Sequence, residues 1–545
     1  MDALREWDEE LQDYPDRAHV DWFMKGVQRG FLLGSSIPGE PLVLPADGIP
    51  PNNKSATEHP DEIGKTLAKE LALGRIVGPF ISPPFNLCFT SPVGTTPKET
   101  AKGLPPRFRM TSDLTRGGVN ATIAPGTSAI SFINPEMVAK AWSALPADTF
   151  GFVIDVAEAY RLIPIAGADL HKCVLFWDGA YYVDCFLCFG VASGPALYDA
   201  FGKLLHWILE RKLSTTVWRL LDDHALAAVG EQNAKDLQSR TIPIFKKLGV
   251  MIQERKMFSP LPDFKFIGIM FNFRQHCIAL PAPKVLKALD QLDRLIRERK
   301  GTLLELEGIA GLLNWFTVVV PDGRAFLRAA YDLITKCKRS HPFPSPHRDL
   351  YLHQAILGDL IWWQSLLSSQ PAPQRSLQDF IYRPANVHIF TDSSPSGYGA
   401  WMEGSGDYIC GHWPADVQLA SVGSSTTLTE SIALLIAVYP WRDRLVGQSV
   451  EIHVDNMGVI QAWNKRSSGS PRIMATIRLL ISLLASYHTT SFDLRWIGTD
   501  ANYVADFLSR LPQDPGSLPP LGPQPWPAFL RRWELQASIW GEWRI

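Results

Sequence analysis

Two stretches of the chain mix short Val- and Ile-rich runs with amphipathic ones, and a purely helical stretch stands between them. The first extends from about Pro79 to Phe273, where GFVID, YYVDCFLCF and VWRLL read as strands and GPALYDAFGKLLHWILERK as a helix. From Pro283 the period turns helical, with KVLKALDQLDRLIRERK and LLELEGIAGLLNWFTVVV on either side of Gly301. A further helix, LHQAILGDLIWWQSLLSS, runs into QPAPQRS, the most plausible boundary. Beyond it the order is strand VHIFTD, strand YGAWME, helix LTESIALLIAVYPW, strand EIHVD, a long helix, strand FDLRWI and helix VADFLSRL. At 545 residues the chain exceeds one hydrophobic core, so this pattern predicts a multidomain α+β protein.

The formal net charge is −2, so a nucleic-acid partner has to be held by local basic patches and not by a global field. The acidic start MDALREWDEELQDYPD has no apolar run of signal-peptide length, and no uncharged apolar run of about 18 residues occurs, which predicts a soluble intracellular protein without a membrane span. Seven Cys are scattered, and the one close pair, Cys185 and Cys188, lacks a second pair at zinc-site spacing, so they read as reduced thiols. Residues 35–62 are Pro-rich and irregular, which suggests an N-terminal extension over residues 1–75, wrapped on the first domain or hanging from it. A Pro/Trp-rich tail over residues 512–545 breaks structure and then offers a Trp-rich helix in AFLRRWELQASIWGEWRI.

WRLLDDHALAAV sets Asp222 beside Asp223 between apolar runs. Adjacent carboxylates repel and resist burial, so the pair alone reads as a solvated hairpin turn. Partners change that reading. Sixty-seven residues earlier a Val/Ile-rich strand ends at Asp155, and two strands ending in acids can meet at one end of a sheet. Metal-assisted phosphoryl transfer needs that arrangement, because carboxylates bridging two hard cations clamp the attacking and leaving oxygens. Between them LCFGVASGPALYDAF gives a strand, Gly190, a small-residue bend and Pro195 opening a helix, which lets a bulky ligand lie close to the backbone.

In this order DVAEAY, FGVASGPALYDAF and LLDD resemble three palm motifs of reverse transcriptases. SPVGTTPKE and RFRMTSDLTRGGVN look like the finger motifs of that family, while LGVMIQERK and FKFIGIMFN are similar to its fourth motif and primer grip. The nearest flavour is the retroelement type that includes DIRS-like elements. The resemblance implies Asp155 and Asp222 as principal metal ligands, with Val156 beside them and Asp223 assisting. It implies Tyr160 as the gate beneath the sugar 2′ position, Arg109 and Lys98 at the triphosphate, Phe189 and Gly190 along the nucleotide, and Lys256 near the pyrophosphate. Leu220 departs from the family, which keeps an aromatic there, and Phe189 stands where some relatives carry Gln.

The second mixed run carries its own acids: Asp392 ends a strand, Glu430 lies in a helix, Asp455 ends a strand and Asp506 begins a helix. Such a set can converge on two cations and hydrolyse a phosphodiester with water. TDSSPSGYGA and RWIGTDANYVADFLSR resemble the ribonuclease H domain attached to reverse transcriptases, although Trp496 replaces a His common in that family. Asn456 reads either as a neighbour of that site or as a turn residue.

Lys284, Lys287, Arg294 and Arg297 recur along one side of a helix and are candidates for tracking a duplex backbone, or they form a solvated face. Lys465 and Arg466 are candidates for holding a nuclease substrate. The resemblance therefore implies fingers and palm over residues 76–275, a helical thumb over 276–345, a connection over 346–385 and an α/β ribonuclease H domain over 386–511. It implies a DNA polymerase using RNA template, DNA primer and dNTPs, with two Mg2+ ions (or Mn2+) per site, that also cleaves RNA–DNA hybrid. Two rivals stand beside it: a decayed copy acting as a nucleic-acid- or protein-binding scaffold, and an RNA-templated RNA polymerase, which Tyr160 disfavours.

Overall fold

Apolar alternation builds the centre of the first of two compact units, Met1–Gln275, as it does that of the second, His276–Ile545. The structure, a computed structural model, describes residues 2–34, 48–98, 107–124, 130–340, 345–413, 426–486, 491–511 and 531–532. In the strand Thr149–Asp155 the side chains of Phe152 and Ile154 are buried against Leu204, Leu205 and Ile208 of the helix Gly194–Leu213. This strand pairs antiparallel with Asp223–Val229, which pairs antiparallel with Trp218–Leu220. The register sets Asp155 opposite Asp223, and Asp223 opposite Leu220. Leu221 and Asp222 are then the two residues of a tight hairpin turn, with Leu221 at a φ of 51°. A non-glycine residue there costs on the order of 1 kcal/mol or more and persists only where its surroundings hold it.

A second sheet of the same unit orders Ile76–Phe80, Ala180–Asp184, Val174–Trp177 and Thr90–Ser91, and Val93–Lys98 forms a hairpin with Arg107–Ser112. The first residues pack on the first unit and do not hang from it. Helices Asp2–Glu10 and Arg17–Arg29, with Leu11 in the turn after the first, bury Trp7, Leu11, Val20 and Phe23 in the core that holds Phe152 and Ile154, and the Trp7 indole donates to the Leu248 carbonyl at 2.9 Å. The Pro-rich stretch also departs from expectation, since Lys54–Glu58 and Pro60–Ala72 are helices. Pro60 opens the second of these, where a missing N–H leaves no helical bond unmade. Residues 35–47 of that stretch lie outside the described residues.

After the strand Cys277–Ala279 the second unit carries helices Ala282–Glu298, Leu303–Phe316, Arg328–Ser340 and Gln354–Leu367, the first burying Val285, Ala288, Leu292 and Leu295 along one stripe. Its sheet orders Ser491–Trp496, Ser449–Val454, Val387–Ser393, Gly397–Met402 and Asp407–His412. The first three run parallel and the last two complete an antiparallel meander. Asp407–His412 was not expected: DYICGH is short, polar and ends in Gly and His, so its pairing with Gly397–Met402 decides its state. The single long helix expected after EIHVD is two, Met457–Lys465 and Pro471–Ser486. Arg466, at a φ of 49°, closes the first, and Pro471 opens the second.

Of the tail, only the backbone of Arg531–Arg532 falls among the described residues, as a strand beside Asp407–Tyr408 and not in the expected helix. Among the described residues no helix is long and apolar enough to cross a membrane.

Candidate functional site

Hydrogen bonds at the strand ends gather the first set of acids. The Val156 N–H donates to the Asp222 carbonyl at 3.1 Å and the Gln253 N–H to the Asp155 carbonyl at 2.8 Å, tying the Asp155 strand end to the doublet's turn. With its N–H so used and a hydrocarbon side chain, Val156 offers a cation only its carbonyl. Lys256 Nζ lies 2.6 Å from Asp155 Oδ2. Burial, and then the charge of Asp155, raises the Asp222 carboxyl above its ordinary range. Asp223 is pushed up to about 6 by burial and by Asp222 and Asp155. Three acids whose charges oppose one another favour a cation among them. Among the described residues, however, their oxygens do not form a set of three within 4.8 Å.

Asp155, Val156 and Asp222 line a cleft of about 460 Å3 together with Arg109, Tyr160, Phe189, Tyr198 and Lys256. Tyr160 stacks on Phe189 at 5.0 Å between ring centres and tilts against Tyr198 at 5.7 Å. The Arg109 guanidinium sits 5.2 Å above the Phe189 ring, so the finger hairpin and the bend meet at one wall. Gly190, at a φ of 101°, is required there, because a Cβ would come within 2.9 Å of the Ser112 carbonyl oxygen. Asn120 holds the same bend: its amide donates to the Gly190 carbonyl at 3.0 Å and accepts from the Ala192 N–H at 2.9 Å. Nothing local in GGVN marks Asn120 for this task, because both of its partners lie about 70 residues away.

Also unforeseen is the cleft's ionic rim. Glu158 pairs with Lys69 and Arg75, while Arg161 pairs with Glu70 at 2.7 Å and Asp184 at 2.8 Å. Lys98 lies opposite Arg107 at the end of its hairpin, and its side chain lies outside what is described. Leu220 is half-buried beside the doublet.

The second set of acids is tighter. Ligand oxygens of Asp392, Glu430 and Asp455 all lie within 4.8 Å of one another. Ser509 Oγ donates to Asp392 at 2.7 Å, Ser393 donates to Glu430 through its N–H at 3.1 Å and its hydroxyl at 2.9 Å, and Thr499 Oγ donates to Asp455 at 3.0 Å. Close packing of the helix Tyr503–Ser509 brings Ser509 there: a Cβ on Gly399 would meet the Ser509 nitrogen at 2.5 Å. Burial, then Asp455 and Asp506, pushes Asp392 up to about 6, and burial with Asp392 raises Glu430 well above its usual range. Glu430 Oε2 is buried without a hydrogen-bond partner. An orphaned carboxylate oxygen inside an acid cluster fits a bound cation.

Asp506 stands near enough to act on Asp392 but is itself paired with Arg510 at 2.5 Å. Asn456 caps the helix Met457–Lys465 through the N–H groups of Gly458 and Val459. Trp496 is exposed and donates from its indole to the Asp455 carbonyl at 3.2 Å.

The basic candidates divide. Lys287, Arg297 and Lys465 are exposed, whereas Arg294 pairs with Glu305 at 2.6 Å and Lys284 lies over the Trp315 ring at 5.7 Å. Arg466 pairs with Asp322 at 2.8 Å and stacks on Trp463 at 3.5 Å, so its planar fork already serves to tie the fold.

No family model matches the sequence, and no curated protein matches it. Solved structures similar to it include the foamy viral protease-reverse transcriptase dRH in complex with double-stranded DNA, at 15% identity and a TM-score of 0.47, covering 90% of this chain and 81% of that one. The foamy viral protease-reverse transcriptase with double-stranded DNA matches at 15% and 0.47, over 91% of this chain and 97% of that one. Its complex with RNA/DNA hybrid matches at 14% and 0.46, over 96% and 65%.

Proposed function

We propose that the chain is a reverse transcriptase: an RNA- and DNA-templated DNA polymerase whose first carboxylate set extends a primer and whose second cleaves the RNA of the hybrid. The observation that carries this reading is the pairing of Asp155 with Asp223 across a strand ladder, with Asp155 and Asp222 lining one cleft with Tyr160, Phe189 and Arg109. Residues 76–275 act as fingers and palm, 276–345 as thumb, 346–385 as connection and 386–511 as the ribonuclease H domain. On this reading the chain serves the replication of a retroelement.

Asp155 and Asp222, with the Val156 carbonyl, hold the cations of the first site, and Asp392, Glu430, Asp455 and Asp506 those of the second. When bound, paired Mg2+ ions, or Mn2+, neutralise phosphate charge and activate the attacking oxygen. Asp223 keeps its partners' negative field in place. The stacked Tyr160 and Phe189 form a flat apolar floor on which a sugar carrying a 2′-hydroxyl fits worse than a deoxy sugar, because that hydroxyl loses water without gaining a partner. Arg109 presents a fixed positive fork to the triphosphate, and Lys256, released from Asp155, follows the departing pyrophosphate. Exposed Lys287 and Arg297 contact duplex phosphates.

The test is extension of a labelled DNA primer on an RNA template with Mg2+ or Mn2+, comparing the native chain with Asp222→Ala. Extension abolished by the substitution supports the reading. A folded protein that binds duplex yet extends no primer overturns it and leaves the scaffold.

A further inference from the structure

The parallel register of Val387–Ser393 with Ser449–Val454 sets His388 opposite Glu451 and Phe390 opposite His453. His388, Glu451 and His453 therefore share one face of the sheet. Asp392 and Asp455 continue the same alternation, but His388 lies four residues from Asp392, roughly 13 Å along the strand at about 3.3 Å per residue. His388 Nδ1 stands 3.2 Å from His453 Nε2. Glu451 Oε1 stands 3.7 Å from the first nitrogen and 3.4 Å from the second. Two imidazole nitrogens pointed at each other repel through their lone pairs unless something positive lies between them, either a proton or a metal ion.

The third donor fits the second case. A tetrahedral zinc with bonds of about 2.0–2.1 Å to nitrogen and oxygen sets its donor atoms about 3.3 Å apart. The three distances, 3.2, 3.4 and 3.7 Å, describe one face of such a tetrahedron. The surroundings orient the donors as well: Arg495 Nε donates to Glu451 Oε2 at 3.0 Å, which leaves Oε1 for the cluster, and the His453 ring stacks on Phe390 at 4.3 Å. The His388 side chain is 34% exposed, so the cluster is open to solvent on that side.

We propose that His388, Glu451 and His453 form a zinc-binding site, separate from the Asp392 carboxylate set, that pins the two strands carrying Asp392 and Asp455 to each other. Imidazole donors select a borderline cation such as Zn2+ over Mg2+, which takes oxygen ligands. The site stands whether or not the chain is a polymerase.

The experiment titrates the full-length protein with zinc chloride against a chromophoric chelator in excess Mg2+, so that the hard cation occupies the carboxylates. One zinc per chain is expected, with affinity falling more than about tenfold in His388→Gln and in His453→Gln and unchanged in Asp392→Asn. Cobalt(II) in place of zinc is expected to give the intense visible absorption of a tetrahedral site in the native chain and not in the His variants. Unchanged zinc affinity in both His variants overturns the proposal, and so does equal loss in Asp392→Asn, which would put the zinc at the carboxylates. Should His453→Gln fail to fold, His388→Gln, at a more exposed position, carries the same comparison.

Discussion

Asp155 has Lys256 at 2.6 Å, whereas Asp392, Glu430 and Asp455 are bonded to hydroxyls and one backbone N–H and, among the described residues, to no basic side chain, the second set's basic partner, Arg510, being held by Asp506 at its edge. The first set thus carries part of its own counter-charge on a movable arm. The second gathers three carboxylates within 4.8 Å and leaves Glu430 Oε2 buried without a partner. A site that has to admit a large, highly charged substrate gains from an internal cation that can step aside. A site that cuts one bond with water can hold its acids rigidly and rely on cations from solution. The comparison predicts two sites that differ in how strongly they depend on added metal for stability as well as for chemistry.

The sharpest way to break it is to disable each site alone. Asp222→Asn is expected to reduce primer extension by ~10^3-fold or more while leaving hybrid cleavage within about twofold, and Asp392→Asn the reverse, both measured on one hybrid substrate. Joint loss would mean that one site supports both reactions.

Next in size is sugar selection, which the proposed function assigns to the first site only. Tyr160→Val removes the ring stacked on Phe189, and the ratio of dNTP to NTP incorporation is expected to fall by about 10–100-fold with hybrid cleavage unaffected. Unchanged selection would reduce Tyr160 to a packing residue.

Stability without metal gives a smaller effect of opposite sign to the loss of activity. Asp392 is raised to about 6 by burial and by Asp455 and Asp506, so the folded chain is strained by its charge at neutral pH. In chelator, Asp392→Asn is expected to stabilise the protein by ~1–3 kcal/mol in chemical denaturation. Asp155→Asn is expected to change it by less than about 1 kcal/mol, since the loss of the exposed Lys256 pair offsets relief of repulsion with Asp222 and Asp223. Equal shifts would dissolve the distinction between the two sets.

The pH dependence is the mildest test. Asp223 and Asp392, each near 6 when folded and about 3.9 when unfolded, bind more protons in the native state between those values. Their contribution to stability therefore falls as pH rises from about 4 to 6 and then levels off. Asp392→Asn is expected to flatten that fall in metal-free protein, and Mg2+ to offset it in the native chain. A metal-free profile with the same slope in the variant would remove Asp392 as its source.

What the sequence made legible was local. Val/Ile runs ending in Asp155 and Asp392 mark strand ends because burial and charge change within one or two residues, and both strands form with those acids at their ends. The doublet's turn was equally readable, although only the register shows that Asp223 belongs to the strand and Asp222 to the turn. Long-range partners left no local sign. Ser509 is 117 residues from Asp392, and Trp7 is 241 from Leu248, so neither the hydroxyl that steadies an acid nor the burial of the first helices follows from neighbouring residues. The strand Asp407–His412 escaped for the same reason, being made by its partner and not by its composition. Arg466 shows the converse: a basic residue in a polar turn invites a binding role, yet its fork is already engaged by Asp322.

Asn120 gives the cleft a vulnerability of a different kind. One amide joins the loop after the finger hairpin to a bend 70 residues further along, closing both of its bonds at once. In a library of random substitutions read out by activity alone, position 120 will score alongside the acids, because Asp cannot donate, Ala can do neither, and Gln overshoots by a methylene. The narrowness of that tolerance, and not any contact with a reacting atom, is what will make the position look indispensable.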